Sequence, residues 1–152
     1  MKGLFNFVPL VVLGASVWAG PADPAVDQIL QEYFKIHKAL ASDSTQGIDP
    51  AAKRIQELAT SAKAPAAEVQ SLLAQIRAAA EKIQGKPLDQ AREVFFELSR
   101  PLLVYLNSHH ANKAAYYRYF CPMAKKGWIQ AEKGTKNPYY GSSMLTCGQL
   151  IE

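Results

Sequence analysis

Residues 65–85 read PAAEVQSLLAQIRAAAEKIQG, and this stretch decides the fold. Pro65 suits a first helical turn, where a missing N–H costs nothing, and Gly85 suits the left-handed residue that ends a helix. Between them Val69, Leu72, Leu73, Ile76, Ala80 and Ile83 recur at steps of three and four, so they share one helical face. A strand would alternate every second residue, and this stretch does not.

The same punctuation repeats on both sides. Upstream, Asp49 and Pro50 open a helix whose apolar face is Ile55, Leu58, Ala59 and Ala62. Before it, Asp23 and Pro24 open a helix over about 24–41, with Val26, Ile29, Leu30, Tyr33, His37 and Leu40 at helical spacing. The segment 42–48, with Asp43, Ser44 and Gly47, reads as a loop. Downstream, a fourth helix begins near Pro87 and carries Leu88, Ala91, Val94, Phe95, Leu98, Leu102 and Tyr105, with Pro101 expected to kink or break it. Short connections make the helices antiparallel neighbours. The expected fold is all-α, an up-and-down four-helix bundle with a loop-rich C-terminal segment packed on it. Thirteen alanines between Ala39 and Ala80 let the second and third helices approach closely, so the bulk of the core falls to the first and fourth.

The first 19 residues stand apart. A basic start at Lys2, an apolar run from Leu4 to Leu13, and Val17 and Ala19 at the positions a signal peptidase prefers make a secretory leader with cleavage before Gly20. The run is too short for a membrane span, and Pro9 interrupts it. Residues 20–152 then form a single domain, periplasmic or secreted, with no stable membrane insertion after leader cleavage. The leader holds one of the 17 basic residues and none of the 13 acidic ones, leaving a net charge near +3. That excess is too small for a nucleic-acid partner. With two cysteines and three histidines the chain cannot hold a disulfide-dense scaffold, a multi-cysteine zinc array or a four-thiolate cluster.

Beyond His110 the chain changes character. Tyr116, Tyr117, Tyr119, Phe120, Trp128, Tyr139 and Tyr140 gather there with both cysteines, Met123 and Met144. Asn137-Pro138-Tyr139-Tyr140-Gly141 reads as a turn and Trp128 as a core anchor. In an extended segment Cys121 and Met123 point to one side, and in a helical turn Met144 and Cys147 do. Two thiols and two thioethers are soft ligands that select Cu(I), with His37, on the first helix, and the pair His109 and His110 as candidate contributors. The same cysteines could instead form a disulfide closing a loop of 25 residues, worth on the order of 3 kcal/mol, with the methionines as filler, or a redox switch using both states. No motif supports an enzyme: there is no nucleophile elbow, phosphate loop or haem-attachment pair.

The run Tyr119-Phe120-Cys121-Pro122-Met123-Ala124, then Gly127-Trp128, Asn137-Pro138-Tyr139-Tyr140-Gly141 and Met144-Leu145-Thr146-Cys147-Gly148 resembles the signature of a bacterial exported domain family of unknown function. Residues 33–43 and 91–99 resemble it more loosely. Members occur alone and as the C-terminal domain of some CusB-like heavy-metal efflux adaptors. The resemblance implies a module for copper or another soft metal, with a metal-efflux component or another periplasmic protein as its partner; the ligands expected from the residues are Cys121, Met123, Met144 and Cys147. A histidine is not fixed in that family at position 37, so His37 stands outside what the resemblance implies. The competing expectation is a disulfide-stapled protein-interaction module without metal.

Overall fold

The computed structural model of the chain describes residues 24–64, 66–109 and 116–151. The expected leader, its cleavage point and His110 lie outside them. Four helices, α1 (Pro24–Ala41), α2 (Ile48–Ser61), α3 (Ala67–Ile83) and α4 (Leu88–His109), run up and down in chain order. No helix among the described residues is long and apolar enough to cross a membrane. The apolar faces read from periodicity are the buried ones: Ile29, Tyr33, Leu40, Ile55, Ile76, Ile83, Phe95, Leu98 and Leu102 are almost wholly excluded from solvent, and Ile36 joins them. Ala51, Ala52, Ala59, Ala79 and Ala80 are buried as well, and α2 and α3 pack directly on one another.

Pro101 does not break α4. A proline inside a helix forfeits one backbone bond, here to the Glu97 carbonyl. Leu98 before it and Leu102, Tyr105 and Leu106 after it are all buried in the core, so packing holds the turns on both sides of it.

The all-α expectation needs correction at the C-terminal end, which is a small sheet and not only loops. Strands β1 (Tyr117–Cys121), β2 (Lys126–Gln130) and β3 (Gln149–Ile151) form an antiparallel sheet in the order β2-β1-β3. Tyr119 pairs with Trp128 and Leu150, and Cys121 with Lys126. In β1, Tyr119 and Cys121 are buried while Phe120 between them is exposed, the alternation of a strand with one covered face. The aromatic density at 116–120 is strand composition as much as it is a cluster for a site.

The sheet completes the helical layer. Each helix packs broadly on its chain neighbour, but α1 and α4 meet sparingly and β2 lies against both. Large side chains bridge that seam: the Tyr33 ring stacks on Phe95 with centroids 4.8 Å apart. Ser99 Oγ donates to the Phe95 carbonyl at 2.8 Å, so the Tyr33 hydroxyl donates to Ser99 at 2.7 Å and its oxygen accepts from Ile129 N–H at 3.2 Å. One phenol therefore ties α1, α4 and β2 together. Burial outweighs the bonds to Ser99 and Ile129 and pushes its pKa well up, so it stays protonated. Tyr33→Phe is expected to cost about 1–3 kcal/mol, because it leaves a buried N–H without an acceptor. Urea denaturation together with amide exchange at Ile129 checks this, and a loss below about 0.5 kcal/mol with unchanged exchange contradicts it.

Candidate functional site

A polar clamp positions the segment that carries the second cysteine. Arg92 of α4 donates to the carbonyls of Pro138 (3.1 Å) and Leu40 (2.9 Å) and pairs with Asp43 at 2.6 Å, while Asp43 also accepts from Ser142 N–H at 3.1 Å. Bonds from Ser142 and the Arg92 guanidinium hold the Asp43 carboxyl down at about 2. Gly141 sits against this clamp with φ +53°, and a Cβ there would overlap both Asp43 and Arg92. Only glycine meets both demands.

Asn137 is the second anchor. It is wholly buried, and each of its polar groups is used. Its Nδ2 donates to the Cys147 carbonyl at 2.7 Å, its Oδ1 accepts from Tyr139 N–H at 2.8 Å, and its own N–H donates to Leu145 at 2.8 Å. Gly148 then lies against the Trp128 indole, where a Cβ would have no room. Trp128 is fully buried, stacked on Tyr119 at 5.4 Å and edge-on to Tyr139 at 6.1 Å, so it is the anchor that the sequence reading expects.

These constraints bring two distant cysteines together. Cys121, at the end of β1, and Cys147 have their sulfurs 3.0 Å apart, and both are free thiols. Burial opposes ionisation of Cys121, but bonds from Ala124 N–H, the Cys147 thiol, the Asn137 amide and Met123 N–H outweigh it and hold the thiol below its ordinary range. The facing Cys121 sulfur, together with burial, pushes Cys147 up. Cys121 is wholly buried and Cys147 half-buried, so the inner sulfur carries the thiolate character and the outer one keeps the proton.

The other expected ligands are placed differently. The chain turns at Pro122 instead of staying extended, so Met123 does not share the strand face of Cys121; its backbone N–H faces both sulfurs while its side chain is 66% exposed. Met144 follows the 3₁₀ turn at Gly141–Ser143, and its carbonyl accepts from Cys147 N–H at 3.0 Å, a turn in which Met144 itself has an extended φ (−150°) and is not helical as expected. His37 is held elsewhere: buried on α1, its Nε2 donates to the Lys136 carbonyl at 2.8 Å. His109 ends α4. Among the described residues no three His, Cys, Asp or Glu side chains group so as to hold an ion.

Asn137, Arg92 and Asp43 are what the sequence reading missed. Asn137 was visible as part of a turn, but nothing local tells a turn asparagine from a buried one that spends its whole amide on distant backbone. Arg92 and Asp43 lie 49 residues apart and carry no shared motif.

A family model described as "Protein of unknown function (DUF3347)" matches residues 29–114, more than half of the 152-residue chain. The match ends before β1, so both cysteines lie beyond it. No curated protein and no solved structure matches the chain.

Proposed function

Because the chain belongs to this family of unknown function, we propose, with that as the premise, that it is an exported, periplasmic soft-metal module that binds Cu(I) through Cys121 and Cys147. The observation that carries the reading is the pair of free thiols 3.0 Å apart, delivered by segments 26 residues distant. Thiolate sulfur prefers Cu(I) to hard cations, and two thiolates satisfy an ion that accepts low coordination better than they satisfy zinc, which takes four ligands.

The fit needs only a small opening. Metal–thiolate bonds are about 2.3 Å, so an ion between two sulfurs requires them roughly 4 Å apart, about 1 Å wider than here. Cys147 lies on a short turn that can supply this. Cys121 contributes a sulfur already biased toward the thiolate, and binding releases the proton from Cys147. Met123, whose exposed thioether hangs from a residue touching both sulfurs, and Met144, one turn before Cys147, are the thioethers available to cover the ion. His37 is omitted, since it lines a cleft that neither cysteine borders. The partner is a metal-efflux component or another periplasmic protein that delivers or receives the ion.

A second reading rests on the same distance. A disulfide bond is about 2.05 Å, and closing the pair would staple residues 137–148 to β1 as a metal-free interaction module. Thiol titration of the purified protein with and without Cu(I), read beside competition with a chromogenic Cu(I) chelator, separates them. We expect two titratable thiols, one Cu(I) per chain and protection of both thiols on binding. Cys147→Ser should weaken Cu(I) by about a hundredfold or more, and Met123→Ala by about tenfold. No response to Cu(I) after full reduction overturns the metal reading, and absence of free thiols before reduction then supports the staple.

A further inference from the structure

The backbone is anchored on both sides of the thiol pair. Cys121 pairs with Lys126 across β1 and β2, and the β1–β3 ladder matches Tyr119 with Leu150 and Phe120 with Gln149. Cys121 is therefore the residue after the last of those pairs, and Cys147 stands two residues before Gln149. Asn137 holds the same stretch through the Cys147 carbonyl at 2.7 Å. The scaffold thus brings the sulfurs to 3.0 Å and leaves them as free thiols.

That separation lies between two end points. A disulfide needs about 2.05 Å and a bridging Cu(I) about 4 Å, so each state asks for a movement of about 1 Å, in opposite directions. The states also exclude each other chemically, because a disulfide has no thiolate left to give to a metal. Access to the two sulfurs is unequal. Cys121 is wholly buried and its sulfur accepts from Ala124 N–H at 3.4 Å, whereas Cys147 is half-buried. A reagent arriving from solvent meets Cys147 first.

Resting on the Cu(I) reading above, we infer that oxidation of the pair closes the metal site, with Cys147 as the sulfur that meets a disulfide oxidant and Cys121 as the sulfur that completes the exchange. The metal-bound and stapled forms are then two states of one site. One of the two thiol protons goes to solvent, and the other passes from Cys147 to the facing Cys121 sulfur as Cys147 attacks one sulfur of the oxidant. The oxidant's S–S bond breaks, and the first thiolate leaves and takes a proton from solvent. Cys121 then attacks the Cys147 sulfur of the mixed disulfide, and its proton goes to the second thiolate as that bond breaks. The protein loses two electrons and two protons, and one disulfide oxidant becomes two thiols. Bound Cu(I) occupies both sulfurs, so metal and oxidant compete for the same pair.

Reduced protein, freed of reductant under argon, is mixed with oxidised glutathione, and free thiols, adduct masses and Cu(I) binding are read on the same samples. Without metal, both thiols should disappear together with no lasting adduct. Affinity for Cu(I), measured against a chromogenic chelator, should then fall by about a hundredfold or more and return on reduction. With Cu(I) buffered about a hundredfold above its Kd, thiol loss should slow by the same factor, because only the unloaded fraction reacts. Cys121→Ser should accumulate a glutathione adduct on Cys147, and Cys147→Ser should form its adduct at least about tenfold more slowly, since exchange follows access to the sulfur. Thiols that survive oxidised glutathione in a protein that binds Cu(I) overturn the gate and leave the metal reading standing. Equal thiol loss with and without bound Cu(I), or equal adduct rates in the two variants, also overturns it. A disulfide that forms in a protein whose reduced form has no affinity for Cu(I) overturns it at its premise.

Discussion

Trp128→Ala is expected to destabilise the protein by about 4 kcal/mol, the range for deleting a fully buried large aromatic side chain. Trp128 stands between β1 and the segment that returns with Cys147: its ring touches Tyr119, Tyr139 and the backbone at Gly148. Its Nε1 donates to Gln130 at 2.9 Å, and Gln130 in turn donates to the carbonyls of Glu132 and Gly134. The cavity left by alanine borders the sheet, not the α2–α3 interface, so the loss should concentrate in residues 117–151. Guanidinium denaturation gives the total, and amide exchange gives its distribution. A loss below about 1.5 kcal/mol, or exchange raised equally in α2 and α3, contradicts the placement. Trp128→Phe, which keeps a stacked ring and leaves less empty volume, should recover a large part of the loss.

The second large effect is a pH dependence. Burial holds His37 down at about 4 against an ordinary 6.5, opposed by the bond to Lys136, with the Lys136 charge lowering it further and Glu132 raising it. The unfolded chain therefore binds a proton that the folded chain refuses between these values. Stability from this group is complete above pH 6.5 and falls as the pH drops toward 4, by roughly 3 kcal/mol at the lower end. Asp43 acts in a separate window: with its carboxyl held at about 2 against 3.8, its contribution is present above 4 and fades below it. His37→Gln keeps a donor for the Lys136 carbonyl but cannot titrate. Its stability should stay nearly flat between pH 6.5 and 4, where the unsubstituted protein loses most. Equal slopes for the two proteins contradict the assignment to His37.

The two expectations show where legibility in the sequence ended. The four helices could be read because each announces itself locally: a start signal such as Asp49-Pro50, an apolar face at helical steps, a stop such as Gly85. Their up-and-down order follows from short connections. The sheet was legible only in hindsight, since Tyr117–Cys121 is five residues long and a strand that short has two or three alternations to show. Pro101 does not end its helix, because buried neighbours on both sides hold the turns that a local rule would break.

The candidate site divides in the same way. The sequence by itself determined which sulfurs exist, that Cys121 and Cys147 stand in two short pieces of a glycine- and proline-punctuated segment, and that Trp128 and Gly141 have structural tasks, because these follow from residue type and near-neighbour spacing. Only the tertiary structure decided that the two thiols meet, that Met123 presents its N–H and not its thioether to them, and that His37 faces a different cleft. Those outcomes depend on Asn137, Arg92 and Asp43, whose bonds reach across as many as 99 residues. A hydrogen bond across such a distance leaves no period and no motif, because it is set by how whole elements pack and not by the residues beside it.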